Sequence, residues 1–256
     1  MLRCSANGIR TLVTAVLAAW AGIPAFAASP QTGSRAPQTT ATDVSPELRG
    51  DLAMARQQYL AAIEAYREAP QNSAVIWNKM GIAYHHLFAM DLARRDYQQA
   101  LRLRPDYPEA LNNLGAVYYA KGSFHKAEKY YRRALRLAPR SPSIFSNLGT
   151  AYFAERKVQQ GINAYRAAFA LDPRIFEDSS PQLVAESLPA RERAQQDFCL
   201  AKLFAQAGHP DRAIDYLRKA LNEGFDDRKE ILNDRTLASL RSTPQFAELM
   251  SEQKLP

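Results

Sequence analysis

A block of 34 residues recurs three times in register, and that period constrains the fold more than any other feature of the chain. In the middle copy Leu114-Gly115, Tyr118, Ala127, Tyr131, Ala134 and Pro139 stand opposite Met80-Gly81, Tyr84, Ala93, Tyr97, Ala100 and Pro105 upstream. Leu148-Gly149, Tyr152, Gly161, Tyr165, Ala168 and Pro173 follow at the same interval downstream, and Trp77, Leu111 and Phe145 lead the three copies. A period of this length marks a supersecondary unit that cannot bury its apolar face alone and stacks on its neighbours. The 46% hydrophobic content of the 256 residues is thereby spread along a solenoid, not gathered into one globular core. Within each copy the apolar spacing predicts two antiparallel helices, joined by a short turn such as Lys121-Gly122-Ser123 and ended by a proline that cannot continue the hydrogen-bond ladder. Gly161 stands where the other copies have alanine, so the second helix of the third copy is expected to be looser by about 0.5 to 1 kcal/mol.

These marks resemble the tetratricopeptide repeat, whose signature is this series of tryptophan, Leu-Gly, Tyr, Ala, aromatic and Pro. The resemblance implies an all-α fold, an α-solenoid of antiparallel helix pairs with about three regular repeats, two degenerate ones and a C-terminal helical cap. The regular repeats are placed at residues 74–107, 108–141 and 142–175. A degenerate capping repeat is read at 45–73, with Gly50, Ala62, Tyr66 and Ala69 on the marks and Pro70 shortening its second helix. Residues 176–193 form an insertion. A second degenerate repeat at 194–227 keeps Leu200-Ala201, Phe204, Ala213, Leu217 and Ala220 in place, and 228–256 form the cap. Asp234, Leu237-Ala238, Leu240-Arg241, Pro244 and Phe246 are similar to the closing segment of many bacterial members of that family.

Residues 1–27 read as a secretory signal: Arg3 and Arg10, an apolar run from Leu12 to Phe26, and Ala25-Phe26-Ala27 as the cleavage site. The apolar run is shorter than the roughly 20 residues of a membrane span and is interrupted by Gly22 and Pro24, so no stable span is expected after cleavage. The expectation is an exported protein, periplasmic or secreted. Residues 28–44 are a polar, Pro- and Ser-rich linker that cannot repay the entropy of ordering. Cys199 is then the only cysteine, read as a packed thiol, and stability must come from packing.

Charge is unevenly placed. Residues 74–175 hold 16 basic and 7 acidic residues, whereas 176–256 hold 11 and 14. The cations concentrate on second helices, among them Arg95, Arg102, Lys129, Arg132, Arg133, Arg136 and Arg166. A solvated outer face is one reading of this surplus. The other is a docking surface for an acidic protein or an anionic envelope surface, weakened by salt; export argues against nucleic acid.

In the family, first helices line a concave groove, which places Asn78, Asn112 and Ser146 (fifth positions), Ile82, Ala116 and Thr150 (ninth) and His85, Tyr119 and Phe153 (twelfth) on one surface with Asn113 and Asn147. Amides offer both donor and acceptor to an extended backbone, and aromatic rings offer flat apolar area. The Asn113 and Asn147 pair resembles the asparagine ladder of O-linked N-acetylglucosamine transferases, although asparagine before Leu-Gly is also common in the family. The carboxylate clamp of chaperone-binding members has no counterpart, because Asn78, Ile82, Ser143 and Asn147 occupy its positions.

No zinc motif, nucleophile elbow or phosphate loop is present. Adjacent His85 and His86 point about 100° apart on a helix, which disfavours a shared ion with Asp91. No cofactor and no metal are expected. The chain reads as a non-enzymatic scaffold or envelope assembly factor that binds a protein or peptide partner in its groove. The alternative is a structural subunit that docks by its basic face or self-associates through an end repeat; oligomeric state is left open.

Overall fold

The computed structural model describes residues 44–176 and 189–252. The segment read as a signal, the linker up to residue 43 and most of the expected insertion lie outside the described residues. Among the described residues all regular structure is helical. Five helix pairs follow in order: α1 (Pro46–Ala55) with α2 (Tyr59–Glu68), α3 (Ala74–His86) with α4 (Met90–Leu103), α5 (Pro108–Ala120) with α6 (Phe124–Leu137), α7 (Pro142–Ala154) with α8 (Val158–Leu171), and α9 (Ala190–Gln206) with α10 (Pro210–Asn222). A 3-10 turn at Pro173–Phe176 leaves the fourth pair. The chain closes with α11 (Arg228–Asn233), a 3-10 turn at Arg235–Leu240 and α12 (Pro244–Glu252).

Two helix starts are capped by side chains. Ser45 Oγ accepts from the Leu48 amide at 3.3 Å, with Pro46 at the first helical position, and Thr243 Oγ1 accepts from the Phe246 amide at 3.3 Å. Each satisfies an orphan amide of the first turn.

One contact repeats through the stack and explains the Gly and Tyr marks. A Cβ on Gly115 would lie 2.6 Å from Cε1 of Tyr131, and the same test gives 2.2 Å for Gly50 against Tyr66, 2.5 Å for Gly81 against Tyr97 and 2.3 Å for Gly149 against Tyr165. The missing side chain of the first helix is thus the seat for a tyrosine ring of the second. All four rings are essentially buried. Gly161 does not interrupt its helix: α8 is continuous through it, and a Cβ there would meet the Phe153 ring at 2.9 Å. Its glycine makes room for that ring.

The hairpin turns need one left-handed residue each. Gly122 supplies it at φ 70°, whereas Gln57, Phe88 and Arg156 adopt φ 58°, 56° and 59° with a side chain attached. Left-handed backbone costs a side-chain-bearing residue about 1 to 2 kcal/mol. Phe88→Gly is therefore expected to stabilise the chain by about 1 kcal/mol in urea unfolding, since the ring is 64% exposed and loses little packing.

First helices of successive pairs approach one another, α3 to α5 and α5 to α7, more closely than second helices do. The stack therefore curves with first helices on the inside. At its C-terminal end Ile231, Leu237, Leu240, Phe246 and Leu249 are buried against α9 and α10, covering the apolar end as a cap must. The fourth and fifth pairs are joined through the insertion's first residues: Tyr216 on α10 donates to the Phe176 carbonyl at 2.8 Å, and the Phe176 ring lies 4.8 Å from Tyr165. Among the described residues no helix is long and apolar enough to cross a membrane.

Candidate functional site

The inner face is built from the stripe of each first helix that turns away from its own second helix. Among the solvent-accessible positions of α5, Glu109, Asn112, Asn113, Ala116 and Ala120 recur at helical spacing on one side. The matching positions of α7 are Ser143, Ser146, Asn147 and Ala154, and those of α3 include Lys79, Ile82 and His86.

Four of the predicted groove residues are not available on this face. Tyr119 is 0% exposed and its ring packs 5.1 Å from Phe124, while Phe153 is 1% exposed and meets Tyr165 edge-on at 5.3 Å. The twelfth position of the unit points into the seam with the second helix, and the thirteenth takes its place on the inner face. Thr150 is buried, with its hydroxyl 2.8 Å from Tyr165 Oη and 3.1 Å from the Ser146 carbonyl. Asn78 is buried as well. His85 is half-buried, and burial together with neighbouring His86 lowers its pKa, keeping the ring neutral. Ile82, Asn112, Asn113, Ala116, Ser146 and Asn147 remain on the inner face, all of them half-buried.

The asparagines bridge successive copies. Asn113 Nδ2 donates to Asn78 Oδ1 at 3.1 Å, and Asn147 Nδ2 donates to Asn112 Oδ1 at 2.9 Å. The sixth residue of one copy is thereby stitched to the fifth of the copy before it. The same place one copy upstream is held by charge: Lys79 Nζ lies 2.7 Å from Glu47 and 2.7 Å from Asp51. Burial lowers the Lys79 pKa, but its hydrogen bonds to these two acids raise it by more. An amide pair joined by one bond keeps an unused carbonyl lone pair and further N–H groups, so it still offers donor and acceptor side by side.

A second row of stitches runs along the turns. Lys121 pairs with Asp91 at 2.7 Å, and one copy further on the polarity reverses, with His125 Nδ1 3.5 Å from Glu155. His125, Glu128 and Glu155 bring ligand atoms within 4.8 Å of one another, which sequence spacing did not reveal. Lys157 Nζ bridges the two carboxylates, 2.7 Å from Glu128 and 2.8 Å from Glu155. The hydrogen bonds to these two carboxylates push the Lys157 pKa up to about 12. An ammonium so placed makes the cluster an internal ion-pair network.

The seven predicted outer cations, Arg95, Arg102, Lys129, Arg132, Arg133, Arg136 and Arg166, are all exposed. Cys199 is buried at the α8 and α9 seam, and burial pushes its thiol up to about 12, which leaves it an unreactive packing group.

Residues 72–140 match the family model of the tetratricopeptide repeat. The helix pairs, the glycine seats and this match agree. This chain carries tetratricopeptide repeats over residues 72–140. Several solved tetratricopeptide structures are similar to it. MamA from Desulfovibrio magneticus RS-1 is 19% identical, with a TM-score of 0.48 over 68% of this chain and 90% of that one. YrrB, a TPR protein with an unusual peptide-binding site, is 17% identical, with a TM-score of 0.45 over 70% and 84%. The first TPR of Spaghetti (RPAP3), bound to an HSP90 peptide, is 24% identical, with a TM-score of 0.40 over 43% and 86%.

Proposed function

We propose that this tetratricopeptide protein is a non-enzymatic scaffold that holds an extended segment of a partner protein against the inner face of α3, α5 and α7. The observation that carries the reading is the row of stitched amides. Buried Asn78 orients Asn113, and Asn112 and Asn147 orient each other, so the unused donors and acceptors of Asn112, Asn113 and Asn147 are preorganised toward the face. Backbone of an extended chain supplies matching groups at regular intervals, whatever its side chains. Ile82 and Ala116 add half-buried apolar area between the amide rows. Export to the periplasm or beyond, inferred from residues 1–27, makes assembly or maintenance of envelope or secreted complexes the setting of this reading.

Ala116→Arg tests it without touching a stitch, because Ala116 sits between the two rows and forms no side-chain hydrogen bond of its own. The variant is expected to bind the native partner at least tenfold more weakly, with an unchanged unfolding midpoint. Asn147→Ala should cost a further factor of roughly five to ten, about one net hydrogen bond. Reversing charge on the outer face with Lys129→Glu and Arg136→Glu is expected to leave capture within about twofold, since those side chains point away. Capture that survives Ala116→Arg and fails with the reversed charges would favour the structural subunit that docks by its outer face.

A further inference from the structure

The outer face carries a charge pattern that the groove reading does not use. Helices α4, α6 and α8 hold three carboxylates, Asp91, Asp96 and Glu128. Asp96 is 0% and Glu128 6% exposed, so neither reaches the surface. Asp91 lies at the turn edge, already paired with Lys121 at 2.7 Å. Every other charged side chain on these helices is a cation, and α6 is the richest, with Lys126, Lys129, Arg132, Arg133 and Arg136 all exposed. Arg132 leans on the buried Glu128 at 3.2 Å and Arg133 donates to the Pro105 carbonyl at 2.7 Å. Among the described residues Lys129 and Arg136 have no acidic partner.

A row of apolar side chains accompanies the cations. Leu103, Leu137 and Leu171 occupy the same position at the ends of α4, α6 and α8 and are 42%, 45% and 37% exposed. Two of them directly follow Arg102 and Arg136. Leu137 and Arg136 also border a shallow cleft of about 200 Å³ with Pro105, Asp106 and Arg133. Large apolar side chains left in water at one repeated position beside unpaired cations are the chemistry of an interfacial surface, where leucine enters the acyl boundary and arginine meets headgroups. A folded acidic partner or an acidic segment needs acceptors and donors fixed in register. This face offers instead bare leucines and, in Lys129 and Arg136, long cationic side chains with no acidic partner among the described residues. Because the stack curves with first helices inside, the second helices form its convex side, and a plane touching that side at its middle meets α6, the most cationic helix.

We propose that the α4, α6 and α8 face docks on an anionic lipid surface, with α6 at the centre of contact and the three leucines at its edge. The attraction is electrostatic at long range and falls with salt. It leaves the inner face turned away from the lipid.

The test is flotation of the full chain with vesicles of phosphatidylcholine alone and of phosphatidylcholine mixed with phosphatidylglycerol. The chain is expected to float with the mixed vesicles, to remain behind with the neutral ones, and to be released by salt. Lys129→Glu with Arg136→Glu should lower partitioning by about 25-fold or more, at roughly fivefold for each cation lost. Lys129→Arg should retain it. Neither side chain packs in the core, and an unchanged circular-dichroism melting curve separates lost docking from lost folding. Leu103→Ser, Leu137→Ser and Leu171→Ser together should weaken binding while keeping its salt dependence. Equal flotation with both vesicles, or none with either, overturns the proposal. Binding to polyglutamate without flotation would do so too, and would reassign the face to an acidic polypeptide.

Discussion

Tyr131→Ala is expected to lower the unfolding free energy by about 3 to 5 kcal/mol, the usual cost of emptying a buried aromatic site. The ring is 0% exposed and lies over Gly115 of the facing helix. The complementary change, Gly115→Ala, places a Cβ 2.6 Å from Cε1 of that ring, inside any real contact distance. Alanine gains about 1 kcal/mol of helix propensity over glycine, yet overpacking a filled core costs about 1 to 3 kcal/mol. The single variant is therefore expected to be less stable, not more. The two changes must also be non-additive. With the ring removed, the added methyl enters the cavity instead of clashing, so the double variant should be more stable than the sum of the singles predicts, by about 1 kcal/mol or more. Urea unfolding of the four proteins measures this, and additive behaviour would show that Gly115 and Tyr131 are not the paired surfaces described.

The second large effect concerns Lys157. Burial raises the pKa of Glu128, but hydrogen bonds from Lys157 first and Arg132 later outweigh it, so the folded carboxyl sits below its ordinary range. A depressed folded value means that the unfolded chain binds the proton more readily. This contribution is therefore present above the unfolded pKa and lost as pH falls through the folded one. Lys157→Met leaves Glu128, whose side chain is 8% exposed, close to Glu155 with only Arg132 and His125 nearby. The loss at neutral pH is expected to be about 2 kcal/mol, less than for a fully buried pair because Lys157 is one-third exposed and Arg132 remains. In the variant the folded pKa of Glu128 rises, so protonation relieves it and the gap to the natural protein should narrow as pH is lowered toward 4. A gap that stays constant between pH 7 and pH 4 would contradict the role given to Glu128.

These two sites also show what could be read before any coordinates. The Gly115 to Tyr131 seat was legible because both residues recur at a fixed period, and a glycine kept at one place in a helix signals a close approach. The stitches were half legible. Asn113 and Asn147 stood out as a pair, but their partners lie one position over in the preceding copy, so the useful spacing is 35 and not 34, as Asn78 to Asn113 and Asn112 to Asn147 show. Tyr119 and Phe153 were placed on the groove because an aromatic at the twelfth position reads the same whether it faces solvent or a seam. Which it faces depends on how the second helix crosses the first, and no side-chain pattern within α5 or α7 reports that. The network of His125, Glu128, Glu155 and Lys157 was invisible for a related reason: its members come from two copies and meet only where successive turns stack. Exposure of Lys129, Arg132, Arg133 and Arg136, by contrast, followed from the amphipathic pattern of α6 alone.

The scaffold reading is tested most directly by a photo-crosslinking amino acid placed at Glu109, an exposed residue of the α5 stripe, with a second at Gln160 on the exposed side of α8, in cells that make the protein. Binding in the groove predicts a covalent adduct with a polypeptide from Glu109, absent from Gln160 and reduced roughly five- to tenfold when Asn147→Ala is added. Adducts from Gln160 alone, or adducts from Glu109 that are indifferent to Asn147→Ala, would contradict it.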